Sequence, residues 1–360
     1  MTTALGAAER RTGPAPELLL PLLAAAPGAT GVAVAAVRDG RTALHVRGTT
    51  DRSGERPVDG RTRFEVGSLT KTFTALLLAD AVARGEVGLD DPIARYLPPN
   101  AVPVHPGGMP ITLLHLATHT SGLPRLPGDF LATAVPAWFS NPYAAYPPGR
   151  LLDSLGATRV RTRPGSRVHY SNLGVGLLGQ VLAEAAGTPY PTLLTRRVLR
   201  PLGLERSTCD PTRAQATGYW HGRPRPPWAI PALPGAGALR CGAGDLLRYL
   251  EALLRPTGAG PLAAALADVQ RRRLVLPRSG DGLCLVWNVR RTDGRDLFFH
   301  SGGTRGFSAF AGFCPADGTA LAAVANTTPA ADGGFIQSAY SALRALGGGA
   351  RPDQVGIEVR

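Results

Sequence analysis

Apolar and polar positions follow a strand period near both ends of the chain and a helical period through its middle. Residues 17–26 are predicted to form a helix, because apolar positions recur there at helical spacing. The apolar run 31–37 and the segment 42–47 flank Asp39-Gly40, a turn dipeptide typical of a hairpin. Toward the other end we predict a helix over 334–345, preceded by strands at Leu283–Val289, Leu297–Phe299, Ser308–Phe313 and Ala320–Ala325.

Helical patterns dominate the central part of the chain. Residues 64–66 predict a short strand that leads into a helix over 69–84, which Gly85 ends. Beyond it, helical segments alternate with proline-rich loops up to residue 240. We therefore predict an α/β fold with an all-α part: an antiparallel sheet flanked by helices, built from both chain ends, with a helical region inserted. The predicted domains are residues 1–85 with 241–350 for the sheet, 86–240 for the helical insertion and 351–360 for a tail.

Bulk composition excludes several classes of protein. Of the 360 residues, 44% are hydrophobic and 18% are charged, which is the balance of a folded globular protein. The formal charge is +13, yet its arginines are spread along the chain and only Arg271–Arg273 form a tight run. Nucleic-acid binding needs a gathered basic patch or a recognition motif, so we predict no nucleic-acid partner.

Lys71 is the only lysine among the 39 basic residues. Arginine stays protonated in proteins, whereas the proton of a lysine can be removed by its surroundings. A single lysine in a chain that otherwise uses arginine indicates a task that needs a neutral amine.

Four scattered cysteines (Cys209, Cys241, Cys284 and Cys314) show no metal-binding spacing, which favours free thiols and no metal site. The apolar run 18–26 follows Arg10-Arg11 as in an export signal, but Glu17 and Pro21 do not suit one. No apolar stretch is long enough to span a membrane. We therefore predict a cytoplasmic protein.

Ser68 and Lys71 lie at the junction between the predicted strand 64–66 and the predicted helix 69–84. Residues three apart share a helix face, so the amine of Lys71 can reach the hydroxyl of Ser68. A serine hydroxyl is a weak nucleophile that needs such a base. Only about one lysine in 2,500 is neutral at pH 7 at its ordinary pKa of about 10.4, so the site must lower that pKa.

Two further segments supply the remaining groups that acyl transfer needs. In Tyr170-Ser171-Asn172 the phenol can relay a proton to a leaving group, and the amide can hold Lys71 or a substrate carbonyl. In His300-Ser301-Gly302-Gly303, which follows a strand, paired glycines let substrate approach the backbone. The N–H of Gly303 would complete an oxyanion hole with that of Ser68.

Together these three motifs resemble the serine β-lactamase and penicillin-binding-protein superfamily, and most of all its class C β-lactamase-like branch with esterase and transacylase relatives. The resemblance covers roughly residues 17 to 345 and includes the stretches Glu86–Leu97, Leu113–Pro124, Pro201–Ser207 and Gly235–Leu250. It implies that Ser68 is the acylated nucleophile, Lys71 the base and Tyr170 the proton shuttle. It implies no cofactor.

His300 departs from the family pattern, because the strand motif of true β-lactamases and peptidases usually begins with a lysine that helps to bind a substrate carboxylate. A mostly neutral imidazole does this less well. We therefore predict an intracellular esterase, amidase or transacylase that acts on a small ester or amide, with water or a small amine or alcohol as acceptor. The alternatives are a β-lactamase or D-amino-acid peptidase, and a non-catalytic relative that only binds a ligand.

Substrate contacts are predicted at Asn172, His300, Gly302 and Trp228. Trp228 belongs to aromatic, proline-rich loops that either wall an acyl pocket or only cover the helical region. His115 and His119 have the spacing of a zinc protease but lack its glutamate, so we interpret His119 as structural.

Overall fold

A computed structural model describes residues 16–103, 105–277 and 279–348. Its α-helices are α1 Pro16–Ala24, α2 Thr70–Ala83, α3 Leu113–Ala117, α4 Phe130–Ala134, α5 Pro148–Gly156, α6 Asn172–Ala185, α7 Tyr190–Leu194, α8 Pro234–Gly237, α9 Ala243–Leu254, α10 Pro261–Asp268 and α11 Gly334–Leu346. Its strands are β1 Gly31–Arg38, β2 Arg41–Gly48, β3 Phe64–Glu65, β4 Gly218–Trp220, β5 Arg223–Arg225, β6 Arg240–Cys241, β7 Leu274–Val275, β8 Gly282–Leu283, β9 Asn288–Thr292, β10 Arg295–Gly303, β11 Ser308–Cys314 and β12 Thr319–Ala325.

Eight strands form one antiparallel sheet in the order β2-β1-β12-β11-β10-β9-β8-β7. The first long strand therefore pairs with the last, with Ala33 opposite Val324. This pairing confirms the predicted fold, in which one sheet is built from both ends of the chain.

Helices cover both faces of this sheet, which explains why β1 reads as an apolar run rather than an alternating one. Val32 and Val34 contact the layer that contains α1 and α11. Ala33 and Ala35 face the opposite way, into the larger core that contains α2, α6 and α9. The predicted helices at 17–26 and 334–345 are thus the outer layer on one face.

The predicted strand Leu283–Val289 is wrong. The chain forms the short strand β8, turns, and begins β9 only at Asn288. The amide of Cys284 donates to the carbonyl of Trp287 at 2.9 Å, and Val286 has a φ of 67°. These apolar residues are buried in the turn itself, and a continuous apolar run carries no period by which to tell a buried turn from a strand.

The helices α3 to α8 and the hairpin β4–β5 lie between α2 and β6 along the chain. The two ends of this region are joined by a second small sheet, in which Glu65 of β3 pairs with Arg240 of β6. The domain boundaries remain a prediction, and the proposed tail 351–360 lies outside the described residues. Within the described ranges, no helix has the length and apolar character needed to cross a membrane.

Candidate active site

Ser68 stands on a tight connection between β3 and α2. A 3-10 turn, Gly67–Leu69, begins with Gly67 at a φ of 49°, which is unfavourable for residues that carry a Cβ. A Cβ on Gly67 would also lie 2.5 Å from the carbonyl oxygen of Gly303. The local backbone therefore brings the start of α2 against the end of β10, with Ser68 half-buried between them.

Lys71 lies one turn further along the buried helix α2. Its Nζ is 2.9 Å from Oγ of Ser68 and donates to the carbonyl of Ala236 at 2.7 Å. The side chain is 0% exposed. Burial, and then the positive charge of Arg125, hold the pKa of Lys71 well below its ordinary value. A neutral amine can donate to Ala236 and still accept the Ser68 proton.

Tyr170 precedes α6 and covers the same amine. Nζ of Lys71 lies 5.1 Å from the centre of its ring, Cζ of Arg125 lies 5.4 Å from that centre, and the ring of His119 packs at 4.5 Å. Burial raises the pKa of Tyr170 to about 12, against the opposing effects of the Ser68 hydroxyl and of Arg125. The phenol is therefore protonated at neutral pH and can act as a proton donor.

Asn172 begins α6, where the neighbouring Ser171 caps the helix by accepting from the amide of Gly174 at 2.8 Å. The amide nitrogen of Asn172 donates to the phenol of Tyr143 at 2.9 Å. Among the described residues, the buried Oδ1 of Asn172 has no partner. Asn172 therefore does not hold Lys71, and its contact with substrate remains a prediction.

His300 lies on β10 with its side chain on the same sheet face as Phe298, which belongs to the core shared with α2. Its Nδ1 is 2.7 Å from the carbonyl of Ser301, so Nδ1 carries the hydrogen and Nε2 is an acceptor. Burial, followed by the charge of Lys71, lowers the pKa of His300 to about 3. The imidazole is neutral at physiological pH and offers no positive charge to a substrate.

Two backbone N–H groups are placed to stabilise an oxyanion. The amide of Thr304 donates to Phe307 across the β10–β11 turn, so the preceding pair, Gly303 and Ser308, is a non-hydrogen-bonded pair of the ladder. The N–H of Gly303 consequently points away from β11, toward the Ser68 turn. Within the described ranges, the N–H of Ser68 has no hydrogen-bond acceptor either.

Gly302 allows this approach. A Cβ on Gly302 would lie 2.0 Å from the carbonyl oxygen of Val66 and 2.9 Å from the amide nitrogen of Ser68. Gly302 thus permits the contact between β10 and the Ser68 turn, a packing role that the sequence did not predict. Its contact with substrate remains a prediction.

Trp228 is half-buried and contacts Tyr143 and Glu65, and its part in a substrate pocket remains a prediction. Its ring packs on Tyr143 at 5.5 Å, and its amide donates to Glu65 at 2.6 Å. Glu65 also accepts from the hydroxyl of Thr304 at 2.7 Å. The carboxylate therefore ties the Trp228 loop to the residue that follows Gly303.

Sequence reasoning missed Glu65, Gly67, Arg125 and Arg240. Arg240 is fully buried and donates to the carbonyls of Trp228 and Ala238, with its guanidinium 3.9 Å from the carboxylate of Glu65. An acidic residue within an apolar strand was the available signal for Glu65. Nothing in the local pattern distinguished Arg125 or Arg240 from the other arginines.

His119 fits the structural interpretation. Its Nδ1 accepts from the amide of Ser171 at 3.2 Å, and its carbonyl accepts from the amide of His169 at 2.7 Å. These bonds fix the segment that carries Tyr170. His115 caps α3 by accepting from the amide of Thr112 at 3.1 Å. In the part of the chain that the structure describes, no cluster of three potential metal ligands exists.

Comparison with known proteins gives a consistent result. The sequence model of the Beta-lactamase family matches residues 20–345. The chain is 34% identical over 234 residues to the D-alanyl-D-alanine-carboxypeptidase/endopeptidase AmpH of Escherichia coli (strain K12), which covers 63% of this chain and 58% of that protein. It is 29% identical over 243 residues to a beta-lactamase of Pseudomonas fluorescens, covering 66% of this chain and 63% of the other. A beta-lactamase of Escherichia coli (strain K12) is 31% identical over 238 residues, covering 63% and 57%. The matched segments span less than two thirds of the length of these relatives.

Proposed function

The chain belongs to the beta-lactamase family, and from this premise we propose that it is a serine acyl-transfer enzyme that forms an acyl-ester on Ser68. The observation that carries the proposal is the 2.9 Å contact between Oγ of Ser68 and a fully buried Lys71 amine whose pKa is lowered. Such a pair is a nucleophile with its base already in place.

In the first half-reaction, the lone pair of Lys71 accepts the hydroxyl proton while Oγ of Ser68 attacks the substrate carbonyl carbon. The negative charge on the carbonyl oxygen is stabilised by the N–H groups of Ser68 and Gly303. Each donor of this kind is worth about 10²- to 10³-fold in rate. Tyr170 donates its proton to the leaving alcohol or amine as the carbonyl-to-leaving-group bond breaks, and the Lys71 ammonium returns a proton to the phenolate.

In the second half-reaction, water or a small alcohol or amine attacks the acyl-ester. Tyr170 and Lys71 take the proton of the acceptor and return it to Oγ of Ser68. Water as acceptor gives esterase or amidase activity, and an alcohol or amine gives a transacylase. We propose that the acyl donor is a small ester or amide. A cytoplasmic location and an intracellular substrate remain predictions.

His300 supports the choice of esters and amides over β-lactams. Its imidazole is buried and neutral, with the pKa lowered to about 3. It therefore cannot supply the cation that the family pattern has at this strand position. The names of the relatives favour a second candidate, hydrolysis of β-lactams or D-alanyl peptides.

Mass spectrometry of the intact protein tests the acyl-enzyme. After incubation with a p-nitrophenyl ester or a fluorophosphonate, the wild type is expected to gain one adduct, and Ser68→Ala none. An unmodified wild type, or equal modification of Ser68→Ala, contradicts the proposal and favours a non-catalytic ligand-binding relative.

A substrate panel then separates the candidates. Wild-type protein is assayed with p-nitrophenyl esters, D-amino-acid amides and a chromogenic β-lactam, each with and without an added amine or alcohol. We expect turnover of the esters, and acylated acceptor if the enzyme is a transacylase. If kcat/KM for the β-lactam exceeds that for every ester, the result contradicts the proposal and favours the second candidate, a β-lactam hydrolase.

A further inference from the structure

Three arginines around the serine site have no carboxylate partner. Arg125 covers the ring of Tyr170, Arg305 lies in the turn directly after Gly303 and Thr304, and Arg225 lies on the neighbouring hairpin β4–β5. Within the described residues, no acidic side chain forms a salt bridge with any of them. We call these three residues the basic rim.

Two members of the basic rim share one indole ring. The guanidinium carbons of Arg225 and Arg305 each lie 5.0 Å from the ring centre of Trp220, and that of Arg305 lies 5.5 Å from the ring of Trp138. Like charges this close repel one another, and burial, followed by the charge of Arg225, lowers the pKa of Arg305. Cation–π contacts hold the pair in place, but they leave its charge unbalanced.

Within the described residues, most side-chain N–H donors of the basic rim form no hydrogen bond with the protein. Arg225 donates to the carbonyl of Phe139 at 2.9 Å, while its buried Nε has no partner among the described residues. For Arg125 and Arg305, the side-chain contacts in the same part of the chain are with aromatic rings. Planar guanidinium groups with free N–H donors match the two oxygens of a carboxylate.

Tyr143 connects the basic rim to the reacting groups. Its phenol accepts from Asn172 at 2.9 Å. Burial raises its pKa, while the hydrogen bond with Asn172 and the charges of Arg125 and Arg305 oppose that rise. The rim adjoins the site at two further points, because Arg125 packs on the ring of Tyr170 and Arg305 follows Gly303 by two residues.

We propose that the basic rim binds a carboxylate on the part of the substrate remote from the scissile bond. This inference rests on the proposed function and adds a substrate class to it: esters or amides that carry an anionic group at the end of an apolar spacer. The exposed rings of Trp138 and Phe139, which are 38% and 66% exposed, flank the rim and suit such a spacer. The carboxylate site that His300 cannot provide is thus supplied by arginines from three other segments.

Matched esters test this inference. The first pair is mono-p-nitrophenyl adipate and p-nitrophenyl hexanoate, which have the same acyl length and leaving group and differ in a terminal carboxylate. The second pair compares p-nitrophenyl hexanoate with its analogue that carries a carboxylate on the leaving ring. We expect the wild type to prefer one of the two carboxylate esters by about 10-fold or more in kcat/KM, as expected for a charge-assisted hydrogen bond.

Variants assign the preference to the basic rim. Arg305→Gln and Arg225→Gln are expected to remove most of that preference, mainly through KM, and Arg305→Lys to keep part of it. The matched control is Arg196→Gln, which removes the same charge from an exposed position. Arg196 is next to Arg197, which binds Glu86 just beyond the end of α2 that lies away from Ser68. Its preference should equal that of the wild type.

The outcomes are distinguishable. If the wild type shows the Ser68 adduct and hydrolyses the neutral and carboxylate esters equally, the basic rim is not a carboxylate site, although the proposed function stands. The same conclusion follows if Arg305→Gln and Arg225→Gln retain the full preference. If the wild type forms no adduct with any ester, both proposals fail.

Discussion

At the scale of single residues, the structure places the amine of Lys71 where burial disfavours its protonated form. Lys71 is buried in α2 and is surrounded by the carbonyl of Ala236, the hydroxyl of Ser68 and the ring of Tyr170. No carboxylate within the described ranges forms an ion pair with it, so desolvation acts on the ammonium without compensation. A group with a pKa lowered in this way is typical of a functional site.

Lys71→Arg keeps a positive group at this position but removes the ability to lose a proton. We expect kcat for a p-nitrophenyl ester to fall by about 10²- to 10⁴-fold, the usual contribution of a general base. Stopped-flow or steady-state assays measure the loss, with circular dichroism as a check of folding and Ser68→Ala as the inactive reference. A folded Lys71→Arg protein with wild-type turnover would exclude Lys71 as the base.

Arg125 tunes the same base. Its positive charge disfavours the ammonium form of Lys71, so removing that charge allows Lys71 to hold its proton to higher pH. The prediction is that Arg125→Gln moves the acidic limb of the kcat/KM profile for a neutral ester to higher pH, and that Arg125→Lys does not. An acidic limb that is the same in all three proteins would show that Arg125 does not act on the base.

At the scale of elements, the site depends on the contact between the start of α2 and the end of β10. Gly67 and Gly302 bring the two backbones so close that a Cβ on either glycine would meet the backbone of the other element. The antiparallel ladder of β10 and β11 directs the N–H of Gly303 into the same gap. Glu65 and Thr304 tie the two elements together at 2.7 Å, just before and just after the glycines.

Gly67→Ala tests this contact, and Gly85→Ala is its matched control. Both glycines have positive φ, 49° and 70°, but only at Gly67 does a Cβ meet another strand, whereas none of the described atoms lies within 4 Å of a Cβ at Gly85. Gly85→Ala is expected to cost about 1 kcal/mol of stability and no activity. Gly67→Ala is expected to lower kcat by about 10²-fold or more, because it displaces an oxyanion donor. Urea unfolding and ester assays measure both effects, and equal kcat values in the two variants would contradict this account.

Sequence periodicity predicted the elements that carry Ser68 and Lys71 because both depend on local spacing. The transition from strand to helix within residues 64–84 depends only on neighbouring residues in the sequence. The same holds for the turn at Asp39-Gly40. One sheet built from both chain ends followed from the apolar strand patterns there, whereas the pairing of β1 with β12 was not predicted. Periodicity could not show which arginine reaches Tyr170, because Arg125 lies in a loop placed by tertiary packing. The buried turn at residues 284–287 was missed because its apolar run carries no period that separates a turn from a strand.

At the scale of the whole molecule, two buried histidines make the folded state sensitive to acid. Burial lowers the pKa of His300 to about 3, and it lowers that of His119 well below the ordinary value. Below a pH of about 6.5 the unfolded chain therefore binds protons that the folded protein does not. The free energy of unfolding must fall as pH decreases from about 6.5 toward these lower values.

We expect each of these histidines to contribute a loss of about 1.4 kcal/mol per pH unit within that window. In His300→Asn, the new amide can donate to the carbonyl of Ser301 but does not titrate. The free energy of unfolding of this variant should therefore fall less steeply with decreasing pH, by the contribution of one histidine. Urea unfolding at pH 7.5, 6.5 and 5.5, roughly one pH unit apart around the ordinary histidine pKa, measures how the free energy of unfolding changes with pH. Parallel slopes for the variant and the wild type would show that His300 is not held neutral by the fold.

The close approach of Gly67 and Gly303 also has a consequence for biosynthesis. Ser68 is translated early, but Gly303 emerges more than two hundred residues later, on a strand that is joined to β1 only through the still later strands β11 and β12. A nascent or truncated chain therefore carries the reactive hydroxyl without the group that makes it productive. We therefore expect reactivity at Ser68 only after β10 has been translated and has joined the sheet.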